Sequence, residues 1–483
     1  MTIVLRRAAA VAAALPLLAG AALPQHPDTI ALRAGAYLDS LGKCGAFSGA
    51  ALVAKDGQPI LVRAYGDAER SFNVANRSDT KFNLGSMGKM FTAVAVLQLV
   101  ERGSLSLDGL IADYAPEYPN PDVATRVTIR QLLTHTSGLG NYWTRDFIQA
   151  SKDRFREIRD YLPLFTAESL RFPPGSRYAY SNAGFMVLGY LIERVTGRSY
   201  FEYVRDNVYR PAGMANTDAY EVDYVVANRA VGYTTAGARP GEVKSNLFLH
   251  VVKGGAAGGG YSTVGDLLAF ANALLANELL SPEYTALAVG GKVESGPGTR
   301  YGFGFIEQTA NGSRIVGHGG GFYGISGYLG MFVDQGYTVA LLSNADDGTA
   351  APAAYIEELL VGETPQARAR KLTERALDEA AHRGYTAAVR LLERSGGAGG
   401  IPETAVNARG YQLLAAGKTD AAIAVFRLNV HLYPRSANAH DSLGEAYLAR
   451  GDRKQAIACY ERAVALDPGQ ASSVAMLRKL RGK

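Results

Sequence analysis

Asn83-Leu84-Gly85-Ser86-Met87-Gly88-Lys89-Met90-Phe91-Thr92-Ala93-Val94-Ala95-Val96-Leu97-Gln98-Leu99-Val100 places a serine and a lysine three positions apart at the head of a long apolar run. After Lys89, the residues Met90, Phe91, Val94, Leu97 and Val100 recur at helical spacing, which predicts a buried helix ending near Gly103. Residues three apart on a helix share a face, with Cβ atoms ~5–6 Å apart, so the Lys89 amine reaches the Ser86 hydroxyl. The start of a helix adds free backbone N–H groups and positive potential where an oxyanion would form. This is the equipment of a serine nucleophile activated by lysine. The Ser-x-x-Lys spacing also occurs at Ser40/Lys43, beside Gly42 at a helix end, and at Ser78/Lys81, in a polar stretch that reads as a solvated turn. Only Ser86/Lys89 opens an apolar helix.

Upstream, residues 30–41 read as a first helix. Residues 49–55 and 59–65, joined by Asp56-Gly57, read as a β-hairpin. Downstream, helical patterns recur at 185–195 and 200–209. Residues 253–260 are almost all Gly and Ala, a composition that lets backbone approach a neighbour closely. Strand patterns follow at 301–308, 313–316, 325–333 and 337–343. Strands at both ends with helices between predict one sheet built from the two termini of a single domain finishing near Gly362.

Two further groups carry chemistry. Tyr180-Ser181-Asn182 stands just before the helix at Phe185. A phenol beside an ammonium is stabilised as phenolate, which suits Tyr180 to act as base toward Ser86, and the Asn182 amide can hold a substrate carbonyl. His318-Gly319-Gly320-Gly321 opens the last strand section. Its glycines let a strand edge lie against a substrate, and His318 can bond either a substrate carboxylate or the Tyr180 hydroxyl.

Together, Ser86-Met-Gly-Lys89, Tyr180-Ser-Asn182 and His318-Gly-Gly320 resemble, in order and spacing, the class C β-lactamase-like serine hydrolases. These include β-lactamases, DD-peptidases, D-aminopeptidases and esterases. The segments 132–139, Pro173-Pro174-Gly175 and Tyr301-Gly302-Phe303-Gly304 are similar to recurrent segments of the same family. The resemblance covers residues 30–362 and implies an α/β (α+β) fold, an antiparallel sheet flanked by helices. It implies Ser86 as the acylated nucleophile, Lys89 and Tyr180 sharing the base and proton-shuttle role, and Asn182, His318 and Gly320 in substrate binding. It further implies an oxyanion hole from the N–H groups of Ser86 and Gly321, a structural His135, and no metal or organic cofactor. Where class C β-lactamases usually carry Lys-Thr-Gly, this chain has His318-Gly319-Gly320, which replaces a permanent cation by a group mostly neutral at pH 7. D-amino-acid peptides and small esters or amides are therefore expected ahead of β-lactams.

Beyond Pro365 the chain turns to Ala-rich helix pairs. Gly410, Ala422, Phe426 and Pro434 match Gly444, Ala456, Tyr460 and Pro468 at a 34-residue offset, the tetratricopeptide period. Ala376, Ala388 and Leu392 give a weaker match one period earlier, so an all-α repeat region is expected over 365–483, clearest over 403–470, with Gly396–Gly400 able to loosen the first pair. Such a stack either docks a protein partner or packs on the hydrolase. The competing reading of the whole chain is a catalytically weak or inactive module that binds a peptidoglycan-like ligand or a protein, working through this tail. The N-terminus carries Arg6 and Arg7, an apolar run over 8–18 and Ala19-Gly20-Ala21, the pattern of a signal peptide over residues 1–21. A secreted or periplasmic protein with no stable membrane span after its removal is expected. The net charge of +5 is spread out, without the basic run that a nucleic-acid partner requires. Cys44 and Cys459, at opposite ends of the chain, exclude a disulfide framework and are expected to be buried.

Overall fold

The computed structural model describes residues 26–239, 242–396 and 400–482; the expected signal peptide lies outside them. Eight strands form one sheet: β1 (Gly49–Lys55), β2 (Gln58–Tyr65), β3 (Val293–Gly296), β4 (Thr299–Tyr301), β5 (Ile306–Ala310), β6 (Ser313–Phe322), β7 (Ile325–Phe332) and β8 (Tyr337–Ser343), in the spatial order β2-β1-β8-β7-β6-β5-β4-β3. Every paired neighbour is antiparallel. The two ends of the region meet as expected, β1 pairing β8 from Gly49↔Ser343 to Lys55↔Tyr337. Asp56 and Gly57 both have positive φ, the geometry a tight two-residue hairpin needs.

Alternation along β1 sorts the core. Ala51 and Val53 face the terminal helices Pro27–Lys43 and Ala350–Val361, packing with Ile30, Leu38 and Ile356. Ala50 and Leu52 face the helical body, whose centre is the helix Gly88–Glu101. That helix is buried without interruption from Gly88 to Leu99, so its apolar residues run all round it, as a central helix requires.

Three expectations about local structure are corrected. The strand expected at 301–308 is two, because the chain dips at Gly302–Phe305 onto the central helix. Gly304 has φ +77°, and a Cβ there would stand 2.7 Å from the Lys89 carbonyl oxygen. The strand expected to stop at Val316 continues to Phe322, carrying the glycine run into the sheet. Lys81 is not in a solvated turn: it is 8 % exposed and its ammonium donates to the Ala227 carbonyl.

The tail forms three helix pairs, Pro365–Arg383 with Tyr385–Arg394, Glu403–Ala415 with Thr419–Leu432, and Ala437–Ala449 with Arg453–Leu466, closed by Ala471–Arg481. The repeated small residues have a direct reason: a Cβ on Gly410 would lie 2.4 Å from the Phe426 ring, and one on Gly444 2.9 Å from Tyr460. Residues 397–399 of the glycine stretch expected to loosen the first pair lie outside the described residues. Ala376, Ala380, Ala388 and Leu392 share one apolar cluster with Val406, Ala422 and Phe426. The tail is tied to the body where Lys371 meets Glu358 at 2.7 Å and Glu363 at 3.0 Å. Cys459 is buried as expected, its thiol pushed up to about 11 by desolvation, whereas Cys44 is exposed.

Candidate active site

Ser86 sits in a 3-10 turn, Gly85–Met87, that runs directly into the central helix. Glycines pack this turn from two sides. A Cβ on Gly320 of β6 would lie 2.0 Å from the Leu84 carbonyl oxygen, and one on Gly258 2.0 Å from that of Gly85. The 254–260 run is thus the close backbone approach its composition predicts, clamped by Gly259 N–H to Gly85 O (3.0 Å) and Leu84 N–H to Gly260 O (2.8 Å).

Lys89 is fully buried among uncharged groups. Its Nζ lies 3.2 Å from Ser86 Oγ, 2.7 Å from Asn182 Oδ1 and 2.6 Å from the Ala257 carbonyl oxygen. Desolvation holds the amine well below the ordinary lysine range. Tyr180 comes from the turn before the helix Asn182–Thr196, capped by Ser181 Oγ accepting from Gly184 N–H. Tyr180 is 38 % exposed and lines the cleft beside Ser86, and desolvation pushes the phenol up. Burial works against the expected ammonium–phenolate pair, favouring the neutral form of each group. The Lys89 Nζ stands 4.8 Å from the Tyr180 ring centroid, over its face.

Asn182 is brought in, with both ends engaged: Oδ1 accepts from Lys89, and Nδ2 donates to Asn141 Oδ1 at 3.3 Å. His318 does not reach the Tyr180 hydroxyl or offer a ring nitrogen to substrate. Its Nε2 pairs with the Tyr301 hydroxyl at 3.0 Å and its Nδ1 with the Gly319 carbonyl, while desolvation pulls it down to about 4. A neutral, internally bonded imidazole replaces the cation that a carboxylate-binding site would present. Gly320 packs the nucleophile turn, and Gly321 reaches the cleft. Pairing of β6 with β5 ends at Gly317, so the His318–Phe322 edge has no strand partner on that side among the described residues.

His135 is fully buried at φ +58°, its ring 4.3 Å from that of Tyr180 and 4.4 Å from that of Tyr301. Its Nδ1 accepts from Ser181 N–H at 3.1 Å, fixing the turn that aims Tyr180 and Asn182.

The cleft in front of Ser86 encloses about 350 Å³. Sequence reasoning missed much of its wall: Asn141, Tyr142 and Trp143 from one loop, Leu249 and His250 from another, and Phe322. Trp143 and Phe322 meet edge to face at 4.6 Å. No Asp, Glu or Arg lines this cleft among the described residues. The signal available was the chain's single Trp, close after the 132–139 segment.

A serine and a buried lysine at the head of the central helix, with a tyrosine lining the same cleft, fit a serine hydrolase of the Ser-x-x-Lys class. The beta-lactamase family model matches residues 35–363, most of the chain, and the protein belongs to that family; a tetratricopeptide repeat model matches residues 437–470. Esterase EstB of Burkholderia gladioli is 33 % identical over 352 residues, covering 62 % of this chain and 87 % of the esterase. A penicillin-binding protein of Bacillus subtilis is 28 % identical over 378 residues, covering 74 % of this chain and 82 % of its own length. The crystal structure of a penicillin-binding protein from Bacillus halodurans superposes with a TM-score of 0.61 at 32 % identity, over 70 % of this chain and 100 % of that one. D-aminopeptidase of Cereibacter sphaeroides is 27 % identical, with 65 % of this chain and 60 % of that enzyme aligned. The relatives thus span peptidase-like and esterase chemistry on one fold.

Proposed function

We propose that the protein is an exported hydrolase whose domain over 30–362 acylates Ser86 with D-amino-acid peptides or small esters and amides and then transfers the acyl group to water. The observation that carries this reading is the Lys89 amine, fully buried and 3.2 Å from Ser86 Oγ. A neutral amine has two N–H donors and one lone pair. Asn182 Oδ1 and the Ala257 carbonyl oxygen take the donors. The third contact, to Ser86 Oγ, is a donated N–H while the amine is protonated and an accepted O–H once it is neutral, the form that burial favours.

In the proposed course, Ser86 Oγ attacks the carbonyl carbon as its proton passes to Lys89 Nζ. The oxyanion is met by the N–H groups of Ser86 and Gly321. Collapse breaks the bond to the leaving group, which takes a proton from the Tyr180 hydroxyl, and the Lys89 ammonium restores that proton. Water then repeats the sequence on the acyl-enzyme, losing its proton to the same pair and releasing Ser86. Asn182 acts chiefly by orienting Lys89, with its remaining N–H available to a substrate carbonyl. Export rests on the 1–21 leader, and the repeats over 365–483 form a separate region that can take a protein partner.

Intact mass after incubation with a fluorophosphonate and, separately, a penicillin tests the reading. A fluorophosphonate adduct is expected on the wild type and absent from Ser86→Ala. With His318 neutral, slow or absent penicillin acylation is expected. Folded protein labelled by neither reagent would sink the acyl-enzyme and leave the inactive binding module.

The aromatic wall gives a second test. Trp143→Ala removes part of the aromatic wall that Trp143 and Phe322 form together. It is expected to lower kcat/KM for a phenyl-bearing ester ~10-fold or more relative to an acetyl ester, since a buried aromatic contact is worth about 1.5–3 kcal/mol. Equal losses on both esters would move the acyl pocket elsewhere.

A further inference from the structure

A groove of about 370 Å³ lies in the tail, sharing no lining residue with the Ser86 cleft. Most of its wall comes from the second helices of the three pairs: Tyr385 from the first, Arg427 and His431 from the second, Cys459 and Arg462 from the third. Leu443 and Cys459, 6 % and 9 % exposed, form an apolar floor. At the rim, the Arg427 guanidinium lies 4.5 Å from the Tyr385 ring centroid, over its face. Arg462 stands close enough to His440 to help depress the imidazole, behind desolvation as the main cause, so that ring is neutral at pH 7. Two permanent cations therefore face the groove.

No Asp or Glu lines it, and neither Arg427 nor Arg462 has a carboxylate partner among the described residues. Some other tail arginines do: Arg409 pairs with Asp378, and Arg450 with Asp420 and Asp452. An apolar floor between two unpaired guanidiniums fits a ligand with the opposite arrangement. Guanidinium binds carboxylate through paired N–H donors, and cationic sites over an apolar slot favour an acidic segment carrying a hydrophobic side chain. A lipid surface fits less well, because the apolar residues are recessed between helices and do not protrude.

We propose that this groove binds a short acidic peptide segment of a partner protein, its carboxylates on Arg427 and Arg462 and an apolar side chain over Leu443 and Cys459. The site is independent of the Ser86 chemistry.

The test is fluorescence anisotropy on the full chain with a short fluorescein-labelled peptide of alternating glutamate and leucine, beside its glutamine–leucine counterpart. Saturable binding of the acidic peptide alone is expected, weakening as salt screens the charges. The double variant Arg427→Gln/Arg462→Gln should weaken it ~10-fold or more, with an unchanged circular-dichroism melt as evidence of an intact helical tail. Equal binding of both peptides overturns the proposal, as does an unchanged affinity in the double variant. No binding of the acidic peptide overturns it too, and capture on phosphatidylglycerol vesicles in its place would assign the cations to a lipid surface.

Discussion

Replacing Lys89 with methionine is expected to lower kcat/KM for an ester or amide ~10²–10⁴-fold and to slow fluorophosphonate labelling of Ser86 in parallel. Methionine matches much of the buried stem but has no lone pair on nitrogen to take the Ser86 proton. Lys89→Arg should do no better, because a guanidinium stays protonated. In the wild type the base works only while the amine is neutral. Burial lowers its pKa, so activity should persist far below the ordinary lysine value of ~10.4 and fall only as acid protonates the site. The same shift has a sign in stability. Folded Lys89 holds its proton less tightly than unfolded Lys89, so the unfolded state binds more protons between the two pKa values. Stability from this group is full above the unfolded pKa and is lost as pH falls toward the folded one. Urea unfolding at neutral and at alkaline pH should therefore show wild type gaining stability relative to Lys89→Met as pH rises. A difference that stays flat would mean that Lys89 remains charged in the fold, and the donor count at Asn182 and Ala257 would have to be redrawn.

The site was legible in the sequence where its geometry is local. Ser86 and Lys89 are three residues apart across a 3-10 turn that runs into the central helix, so their contact follows from near-helical spacing, and Tyr180 with Asn182 flank a helix cap that the sequence marks. Protonation was not legible, because it depends on what covers the group. Nothing near Lys89 in the sequence shows that Ala257 and Asn182 supply only neutral acceptors, and without that knowledge an ammonium beside a phenolate was the natural expectation. His318 failed for a related reason. Its partner Tyr301 is set by where β4 and β6 lie in the sheet, a matter of long-range pairing and not of spacing. Trp143, His250 and Phe322 converge from separate segments of the chain, and no periodicity announces such a meeting. The tail was more readable. A repeat must pack the same way each time, so Gly410 under Phe426 and Gly444 under Tyr460 recur at a fixed offset. Cys44 carried no such signal, since a lone thiol reads alike at a helix end and in a core.

The glycines around Ser86 lead to the other large expected effect. Gly258→Ala should lower kcat/KM on the order of 10²-fold, because misplacing a reacting group by ~1 Å has that consequence. The added Cβ would fall 2.0 Å from the Gly85 carbonyl oxygen and 3.0 Å from Ser86 Cα, so the turn or the 254–260 run must move. Either movement disturbs both reacting groups, since Gly259 N–H holds Gly85 and the neighbouring Ala257 carbonyl accepts from Lys89. Gly258 also has φ +133°, so some stability is lost to backbone strain regardless of contact. Gly103→Ala separates the two effects. Gly103 follows the central helix with φ +74°, and a Cβ there meets nothing within 4 Å. Its alanine variant should lose about 1 kcal/mol by the left-handed penalty alone and keep wild-type activity per titrated Ser86. Steady-state kinetics normalised to fluorophosphonate-reactive sites would compare the pair. An activity loss confined to Gly258→Ala ties catalysis to the close backbone approach at the nucleophile turn. Equal retention in both variants would show that the turn tolerates displacement, and the glycine run would then be a packing feature with no part in aiming Ser86.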